Sequence, residues 1–347
     1  MRNVLIALLR RLLQLLGIVL AIAVLNFALL KALPGDLVDV IASESGSVTA
    51  DYVTQLRQLY GLDRSTPEQL AAYVGRLAQG DLGYSFRFGE PVLDLVLDRL
   101  PATLLLVGSA LLLSVAAGIL LGIASARRPH GVADTAISAL ATLGYSAPMF
   151  WTALMLIVLF GVQLEWLPIG GIRDVSANHG GLRAVADLLA HLVLPVLTLA
   201  IYYVAVYARL ARASFIETLA EDYIRTARAK GAREWRVIFG HALRNAVLPV
   251  LTMLGVQSSA LLGGSIVVET VFAWPGLGQL SFDAIKSRDI PVLLAVLLFS
   301  AVLVVVSNIL VDLAQAALDP RVRKPRSLAT SSAPPATGAT TRPGELA

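Results

Sequence analysis

The sequence predicts an all-α integral membrane protein with six transmembrane helices and a small extracytoplasmic module between the first two. Hydrophobic residues make up 56% of the 347-residue chain and charged residues only 15%, whereas soluble domains carry about 25% charge. Six runs without charged side chains are each long enough to cross a hydrocarbon core about 30 Å thick. The bilayer is therefore the expected solvent for most of the chain.

The cysteine content and the net charge limit the kinds of partner and site that are expected. The chain has no cysteine, which excludes a disulfide framework and a thiolate metal site. A net charge of +4 would indicate nucleic-acid binding in a soluble protein, but here the basic residues follow the predicted topology. Membrane lipid is an expected partner, and nucleic acid is not.

The six predicted spans are charge-free runs bounded by charged or polar loops. They lie between Arg11 and Lys31, from Leu100 to Ala126, from Thr135 to Leu164, between Asp187 and Arg209, between Arg244 and Glu269, and between Asp289 and Asp312. The first run is longer than the apolar core of a secretory signal, so it is interpreted as a signal anchor. Small residues recur in the spans, which favours close helix packing in a bundle.

Orientation follows from the basic residues beside the spans. Arg10 and Arg11 precede the first span, Arg127 and Arg128 join the second and third, and the richest basic cluster joins the fourth and fifth. Because basic loops stay in the cytoplasm, both termini are predicted to be cytoplasmic.

The loop between the first two spans has the opposite charge balance. From 32 to 99 it holds five basic and ten acidic residues, which predicts an extracytoplasmic position. Helical stretches are expected at Ala50–Leu59 and Pro67–Leu77, with turns at Gly61 and across 80–83. These signals predict a small ordered module.

Four segments describe the expected domain organisation. They are the N-terminus with the first span (1–31), the extracytoplasmic module (32–99), a core holding spans two to six (100–320) with a cytoplasmic loop at 212–246, and a tail (321–347). The tail is rich in Ser, Thr, Pro, Ala and Gly and nearly lacks bulky apolar residues. It is predicted to be disordered.

The basic loop between spans four and five is the most informative segment. Asp222–Lys230 has the propensity of a short helix, and Gly231 supplies a position that ends it. A helical pattern resumes over Ala232–Ala246, and Leu248-Pro249 is expected to start the fifth span. Charge alone leaves open a loop that lies on anionic lipid.

The spacing of this loop resembles a known family. Arg225-Thr226-Ala227, Gly231, His241-Ala242-Leu243-Arg244-Asn245 and Leu248-Pro249 are similar to the coupling (EAA) loop of binding-protein-dependent ABC transporter permeases. The closest resemblance is to the dipeptide, oligopeptide and nickel class. Arg225-Thr226 stands where Glu-Ala is common in the wider family, and the gap from Gly231 to Leu248-Pro249 is longer.

Five further segments resemble the first of the two permeases in such systems, in the same topological order. They are Leu33-Pro34-Gly35-Asp36, 80–86 (GDLGYSF), 99–104 (RLPATL), 269–278 (ETVFAWPGLG) and 319–323 (DPRVR). Only the tail after about Ser327 is left without a match. The resemblance implies the permease core of a type I ABC importer, a multi-pass protein of a bacterial or archaeal cell (inner) membrane.

The resemblance also implies a division of labour. Such a chain pairs with a second homologous permease, two cytoplasmic ATPase subunits and an extracytoplasmic solute-binding protein. It is not itself an enzyme and binds no cofactor, while the partner ATPase subunits use ATP and Mg. In agreement, the sequence has no G-x-x-x-x-G-K-[ST] phosphate-binding motif.

The expected ATPase-coupling residues form one segment of the basic loop. They are Tyr223, Ile224, Arg225, Thr226, Ala227, Arg228, Lys230 and Gly231. We expect the arginines to make polar contacts with the ATPase while Tyr223, Ile224 and Ala227 pack into its groove, since a helix seated in a groove transmits motion.

Two interpretations stay open at the outer end of span five. Glu269 is either a functional intramembrane acid or a simple anchor that reaches interfacial water. The following Trp274, Pro275 and Gly276 belong either to a short re-entrant outer gate that contacts the binding protein or to an aromatic-belt turn.

Polar residues within the spans have a similar ambiguity. In span five they are Thr252, Gln257, Ser258, Ser259 and Ser265. We expect them to form the most polar face of the bundle and to line the translocation pathway, with helix–helix packing as the alternative. Asn308 and Asp312 are expected to bond a neighbouring helix, and His191 to cap or sit at an interface instead of binding a metal.

Other function classes fit less well. A secondary transporter is expected to have a buried charge near the midplane of a span, and none of the six runs has one. A secondary transporter would also leave the basic loop unexplained. A membrane enzyme lacks a visible catalytic set, while a passive channel formed by a homo-oligomer stays conceivable from the spans alone. The cargo is expected to be a di- or oligopeptide, with a nickel chelate, glutathione or another small solute as alternatives.

Overall fold

The protein is described by a computed structural model for residues 2–32, 64–174 and 180–318. Within these ranges the chain is mainly helical, and a short hairpin (Tyr84–Ser85 as β1, Glu90–Pro91 as β2) is paired antiparallel. The helices are α1 (Arg2–Ala32), α2 (Thr66–Ala78), α3 (Val92–Ala126), α4 (Val132–Ser146), α5 (Met149–Leu156), α6 (Leu182–Leu219), α7 (Asp222–Ala229), α8 (Glu234–Arg236), α9 (Leu243–Val271), α10 (Leu277–Ser287) and α11 (Ile290–Leu318).

Five of the helical segments described are long and apolar enough to cross a membrane, and a bent pair completes the six predicted spans. The third span is not the continuous helix that the sequence predicts over Thr135–Leu164. It breaks between α4 and α5 by 104°. The cause is Pro148, because a proline pushes the residue before it out of helical conformation, and Ala147 is extended with ψ 132°.

The fifth span also differs from its prediction. Leu248-Pro249 does not start it, since Pro249 lies inside α9. A π-helix over Val237–Ala242 joins α8 to α9, so that one helical segment runs from Glu234 to Val271. Proline is tolerated within a membrane helix where neighbouring helices and local adjustments satisfy the freed backbone groups. The basic loop is therefore continuous with a membrane helix.

The core of the bundle forms around α6, which packs against α3, α4, α5 and α9. The approach to α3 is closest at Gly122, where a Cβ atom would lie only 2.5 Å from the Cβ of Ala211. Any larger residue at Gly122 would force the two backbones apart. Small residues thus bring α3 and α6 together where lipid supplies no hydrophobic drive.

The two ends of the bundle are distinct, and we call them the basic end and the hairpin end. The basic end holds α7 and α8, and the hairpin end holds β1, β2 and α10. At the hairpin end Ser85 donates a hydrogen bond of 2.5 Å to Asp289 at the start of α11. This bond fastens the hairpin to the membrane bundle.

Part of the predicted extracytoplasmic module lies in this hairpin end. The helix expected at Pro67–Leu77 is confirmed as α2, and the turn expected across 80–83 is confirmed by positive φ angles at Gly80 and Gly83. The motif Leu33–Asp36, the helix expected at Ala50–Leu59, the turn at Gly61, the segment 319–323 and the tail fall outside the described residues.

Candidate functional site

The basic loop forms a helical corner, which we call the basic corner (residues 222–239). The short helix that the sequence predicts is confirmed as α7, and Gly231 follows it with φ +80°. The N–H of Gly231 donates to the Arg228 carbonyl at 2.9 Å, and the N–H of Ala232 donates to the Ala227 carbonyl at 3.2 Å. These bonds satisfy the last carbonyls of α7 and turn the chain into α8.

One predicted contact of the basic corner is wrong. Ile224 is fully buried in the hydrophobic core of this chain, so it does not reach the groove of a partner. Its position in α7 faces inward, where it anchors the helix to the bundle. Ala227 is half-buried, and Tyr223 is 39% exposed while its hydroxyl accepts a hydrogen bond of 2.8 Å from Asn245.

The charged side chains of the basic corner differ in how they are paired and how far they are exposed. Arg228 makes a two-pronged ion pair with Glu234 across the turn, at 2.9 and 3.3 Å. Arg225 lies 3.7 Å from Asp222, but both side chains are largely exposed, and such pairs add little stability. Thr226 and Lys230 are exposed as well. Arg228 therefore braces the turn, while Arg225, Thr226 and Lys230 face outward.

Two exposed aromatic residues of the basic corner escaped sequence reasoning. Trp235 is 59% exposed and Phe239 is 49% exposed. They are four residues apart on a continuous helical segment, a spacing that places side chains on one face. The four-residue spacing of Trp235 and Phe239 is the signal in the sequence that indicates a shared face. The many basic residues of the same segment make this signal difficult to recognise.

At the hairpin end, Glu269 is not the simple anchor that reaches water. Its side chain is fully buried. It accepts hydrogen bonds from the Thr103 hydroxyl at 2.9 Å, the Gly278 N–H at 2.6 Å and the Gln279 N–H at 3.2 Å. We call these four residues the Glu269 cluster. The carboxylate binds the first turn of α10 and joins it to α3 and α9.

The aromatic-belt interpretation of Trp274 is also wrong. Trp274 is fully buried, and its indole N–H donates to the Ala102 carbonyl at 2.9 Å. Gly276 is buried too, and a Cβ atom there would lie 2.5 Å from the Thr103 hydroxyl oxygen. Pro275 is half-buried. Trp274 and Gly276 thus position the short helix α10 and present little surface to a binding protein.

The polar residues of α9 do not share one face, contrary to the prediction. Thr252 and Ser259 are exposed on one stripe of the helix, whereas Ser258 and Ser265 are buried on another. The buried serines donate to the carbonyls of Leu254 and Leu262 in their own helix. Gln257 is half-buried between the stripes. Of these five residues, Thr252 and Ser259 are the ones exposed at the surface of this chain.

The other polar candidates are accounted for locally. The Nδ1 atom of His191 lies 2.9 Å from the Asp187 carbonyl and 3.2 Å from its carboxylate. Asn308 faces Gly255 of α9. A Cβ atom added at Gly255 would lie 3.3 Å from the Oδ1 atom of Asn308. Within the described ranges, no three His, Asp or Glu side chains group as metal ligands.

Comparison with known proteins decides the family. The model of the binding-protein-dependent transport system inner membrane component matches residues 118–324. The model of the N-terminal part of the same membrane component matches residues 4–107. The chain belongs to this family of transport permeases. The basic corner and the segment 269–278 both lie within residues 118–324.

Curated relatives of this permease match it over nearly its whole length. The oligopeptide transport system permease protein AppB of Bacillus subtilis is 41% identical over 314 residues, 90% of this chain and 98% of that protein. The di/tripeptide transport system permease protein DppB of Pseudomonas aeruginosa is 39% identical over 331 residues, 91% of this chain and 98% of that protein.

A solved structure shares the fold of the permease. It is an inward-facing conformation of the MetNI methionine ABC transporter, with a TM-score of 0.52 at 19% identity, covering 65% of this chain and 96% of the other. The chain is therefore a multi-pass membrane protein with a type I ABC importer permease fold. As a permease of this family it is a transport subunit that works with ATPase and binding-protein partners.

Proposed function

We propose that this permease moves peptides from an extracytoplasmic binding protein into the cytoplasm, driven by ATP hydrolysis in partner subunits. Relatives named for oligopeptide and di/tripeptide transport support the cargo, since they align with about nine tenths of this chain. The observation on which the mechanism depends is the basic corner: a rigid helix, anchored by buried Ile224, presents Arg225 and Lys230 outward.

The basic corner is proposed to face the cytoplasm, with both termini on the same side. Basic loops are retained in the cytoplasm, and this end carries Arg127 and Arg128 as well as the basic corner. The hairpin end then faces outward, toward the binding protein. Two ATPase subunits are proposed to bind ATP and Mg, and this chain is proposed to hold neither.

A second, homologous permease is proposed to complete the pathway. The exposed stripe of α9 that holds Thr252 and Ser259 also includes Val256, which is 65% exposed, and Gly263. Small and weakly polar residues let a facing helix approach closely and offer cargo only weak contacts. This stripe is the proposed wall that the chain contributes to the pathway.

The proposed cargo is tested by uptake into proteoliposomes. The vesicles hold this chain with its partner permease, ATPase subunits and binding protein. We expect uptake of labelled di- and oligopeptides that occurs only when ATP is supplied on the side of the membrane that holds the ATPase subunits. Uptake driven by an ion gradient without ATP would contradict the mechanism, and ATP-dependent uptake of only a nickel chelate or glutathione would contradict the peptide assignment.

The aromatic pair is predicted to strengthen binding of the ATPase. Replacing Trp235 and Phe239 by alanine removes two exposed rings, and an aromatic contact at an interface centre contributes about 2 kcal/mol or more. We expect the ATPase to dissociate from the purified complex at least about tenfold more readily. Gel filtration of the complex at falling concentration measures this.

The matched control is Trp166→Ala, which removes a tryptophan that is 70% exposed at the hairpin end. Its ATPase subunits should stay bound as in the wild type. Equal retention of the ATPase by the Trp235/Phe239 variant and by this control would show that the pair does not contact the ATPase.

A further inference from the structure

An ion pair at the basic end ties α4 to α6. Arg212 of α6 donates to Asp134 in the first turn of α4 through two bonds, Nε to Oδ1 at 2.6 Å and Nη2 to Oδ2 at 2.7 Å. The Asp134 side chain is only 5% exposed and that of Arg212 is 27% exposed. The backbone N–H of His130 also donates to Asp134 at 2.8 Å. The carboxylate is thus bonded on both of its oxygen atoms.

The chemistry of this pair fixes the relative position of two helices. A planar guanidinium that binds both oxygens of a carboxylate sets an angle as well as a distance. The α4–α6 interface also includes apolar and aromatic contacts: Gly144 packs closely on Ile201, Arg209 lies over the Tyr145 ring at 4.9 Å, and the Tyr145 and Tyr202 rings are stacked at 4.8 Å. Stacked rings can slide, whereas a forked ion pair holds one arrangement.

The place of Arg212 in α6 connects the pair to the basic corner. Its neighbour Ala211 packs on Gly122 of α3, and α6 continues without a break to Leu219. After two intervening residues α7 begins at Asp222, and buried Ile224 holds α7 to the bundle core. A displacement of the basic corner therefore reaches Arg212 through the short turn at 220–221 and the last turns of α6.

We propose that Asp134 and Arg212 are a positioning pair that makes α4 move as one body with α6 when the ATPase displaces the basic corner. The proposal rests on the proposed function. Because α4 leads into the bend at Pro148 and then into α5, the pair extends the moving unit into the broken third span. Losing the pair should uncouple that span from hydrolysis.

The test uses the complete complex in proteoliposomes and compares ATP hydrolysed with peptide transported. In Asp134→Asn and in Arg212→Gln the ratio of ATP to peptide should rise by about fivefold or more, the scale of a typical coupling between sites. The double variant should be no worse than either single variant, because each removes the same contact. Arg128→Gln removes an exposed arginine from the turn between α3 and α4 and should leave the ratio of ATP to peptide unchanged.

A distance measurement separates positioning from simple stabilisation. The chain has no cysteine, so spin labels can be placed at Val132→Cys on α4 and Glu217→Cys on α6, both exposed positions. In the otherwise wild-type complex this distance should stay constant between nucleotide-free and ATP-bound states. In Asp134→Asn it should change or broaden on ATP binding.

Two outcomes overturn the proposal. One is an unchanged ratio and unchanged label distance in Asp134→Asn. The other is a parallel loss of complex yield, hydrolysis and uptake with a constant distance, which would mean that the pair only supports folding. Failure of the proposed function would give a different result, because the wild-type complex would then show no ATP-dependent uptake. The label distances would still decide whether the pair holds α4 to α6.

Discussion

Replacing Gly231 with valine should reduce ATP-dependent uptake by about tenfold or more while the chain still inserts in the membrane. Gly231 has φ +80°, a conformation that disfavours side chains with a Cβ by roughly 1–2 kcal/mol and β-branched residues most of all. No atom lies within 4 Å of the position that a Cβ would take. The change therefore acts through the backbone, by opening the turn between α7 and α8, and not through a clash.

Two further variants make this result specific. Gly240→Val introduces the same residue in the adjoining π-helix, where the nearest atom to a Cβ is Arg236 Cγ at an ordinary 3.6 Å, and it should keep most of the uptake. Gly231→Asn should fall between valine and wild type, since asparagine tolerates the left-handed region. Normal uptake by Gly231→Val would show that the turn does not transmit motion.

Replacing Glu269 with alanine should lower both the stability of the purified chain and its uptake. The change leaves the Thr103 hydroxyl and the N–H groups of Gly278 and Gln279 without their acceptor at a buried site. Each buried polar group left unsatisfied costs about 1–3 kcal/mol. We expect the melting temperature in detergent to fall by several degrees and the link between α10 and α9 to weaken, while the Leu277 N–H still donates to Thr103 of α3 at 2.7 Å.

The neighbouring residue provides the control for this prediction. Thr270→Ala removes a hydroxyl whose hydrogen bond, within the described part of the chain, is to the Ile266 carbonyl of its own helix, so it should melt close to the wild type. Glu269→Gln should lie between the two, because the amide oxygen still accepts from an N–H group while its NH₂ has no role in the cluster. A wild-type melting temperature for Glu269→Ala would contradict the account of the hairpin end.

Local signals in the sequence predicted the spans and the basic corner well. Charge-free length indicates a membrane helix directly, and Gly231 after a run of helix formers indicates the end of α7. These features depend on neighbours in sequence, so no tertiary information is needed to see them. The 104° bend before α5 differs from the continuous third span that the apolar run 135–164 predicts, although Pro148 marks the position of the bend in the sequence.

The burial of individual side chains was harder to predict. Glu269 and Trp274 occupy positions typical of a membrane interface, yet partners on α3, namely Thr103 and the Ala102 carbonyl, bury both. Those partners are more than 160 residues away, so no local pattern reports them. The predicted contact of Ile224 with the ATPase is wrong for the same reason, since the core that covers Ile224 is built by other helices.

The most direct test of the central claim places a cysteine at Arg225 in this cysteine-free chain. We predict that an impermeant maleimide added outside intact cells leaves Arg225→Cys unlabelled, and that a short crosslinker joins it to the ATPase subunit in membranes. Arg87→Cys in the hairpin is exposed and should label from outside. Labelling of Arg225→Cys from outside, with no crosslink to the ATPase, would contradict the claim that the basic corner receives the motion of the ATPase.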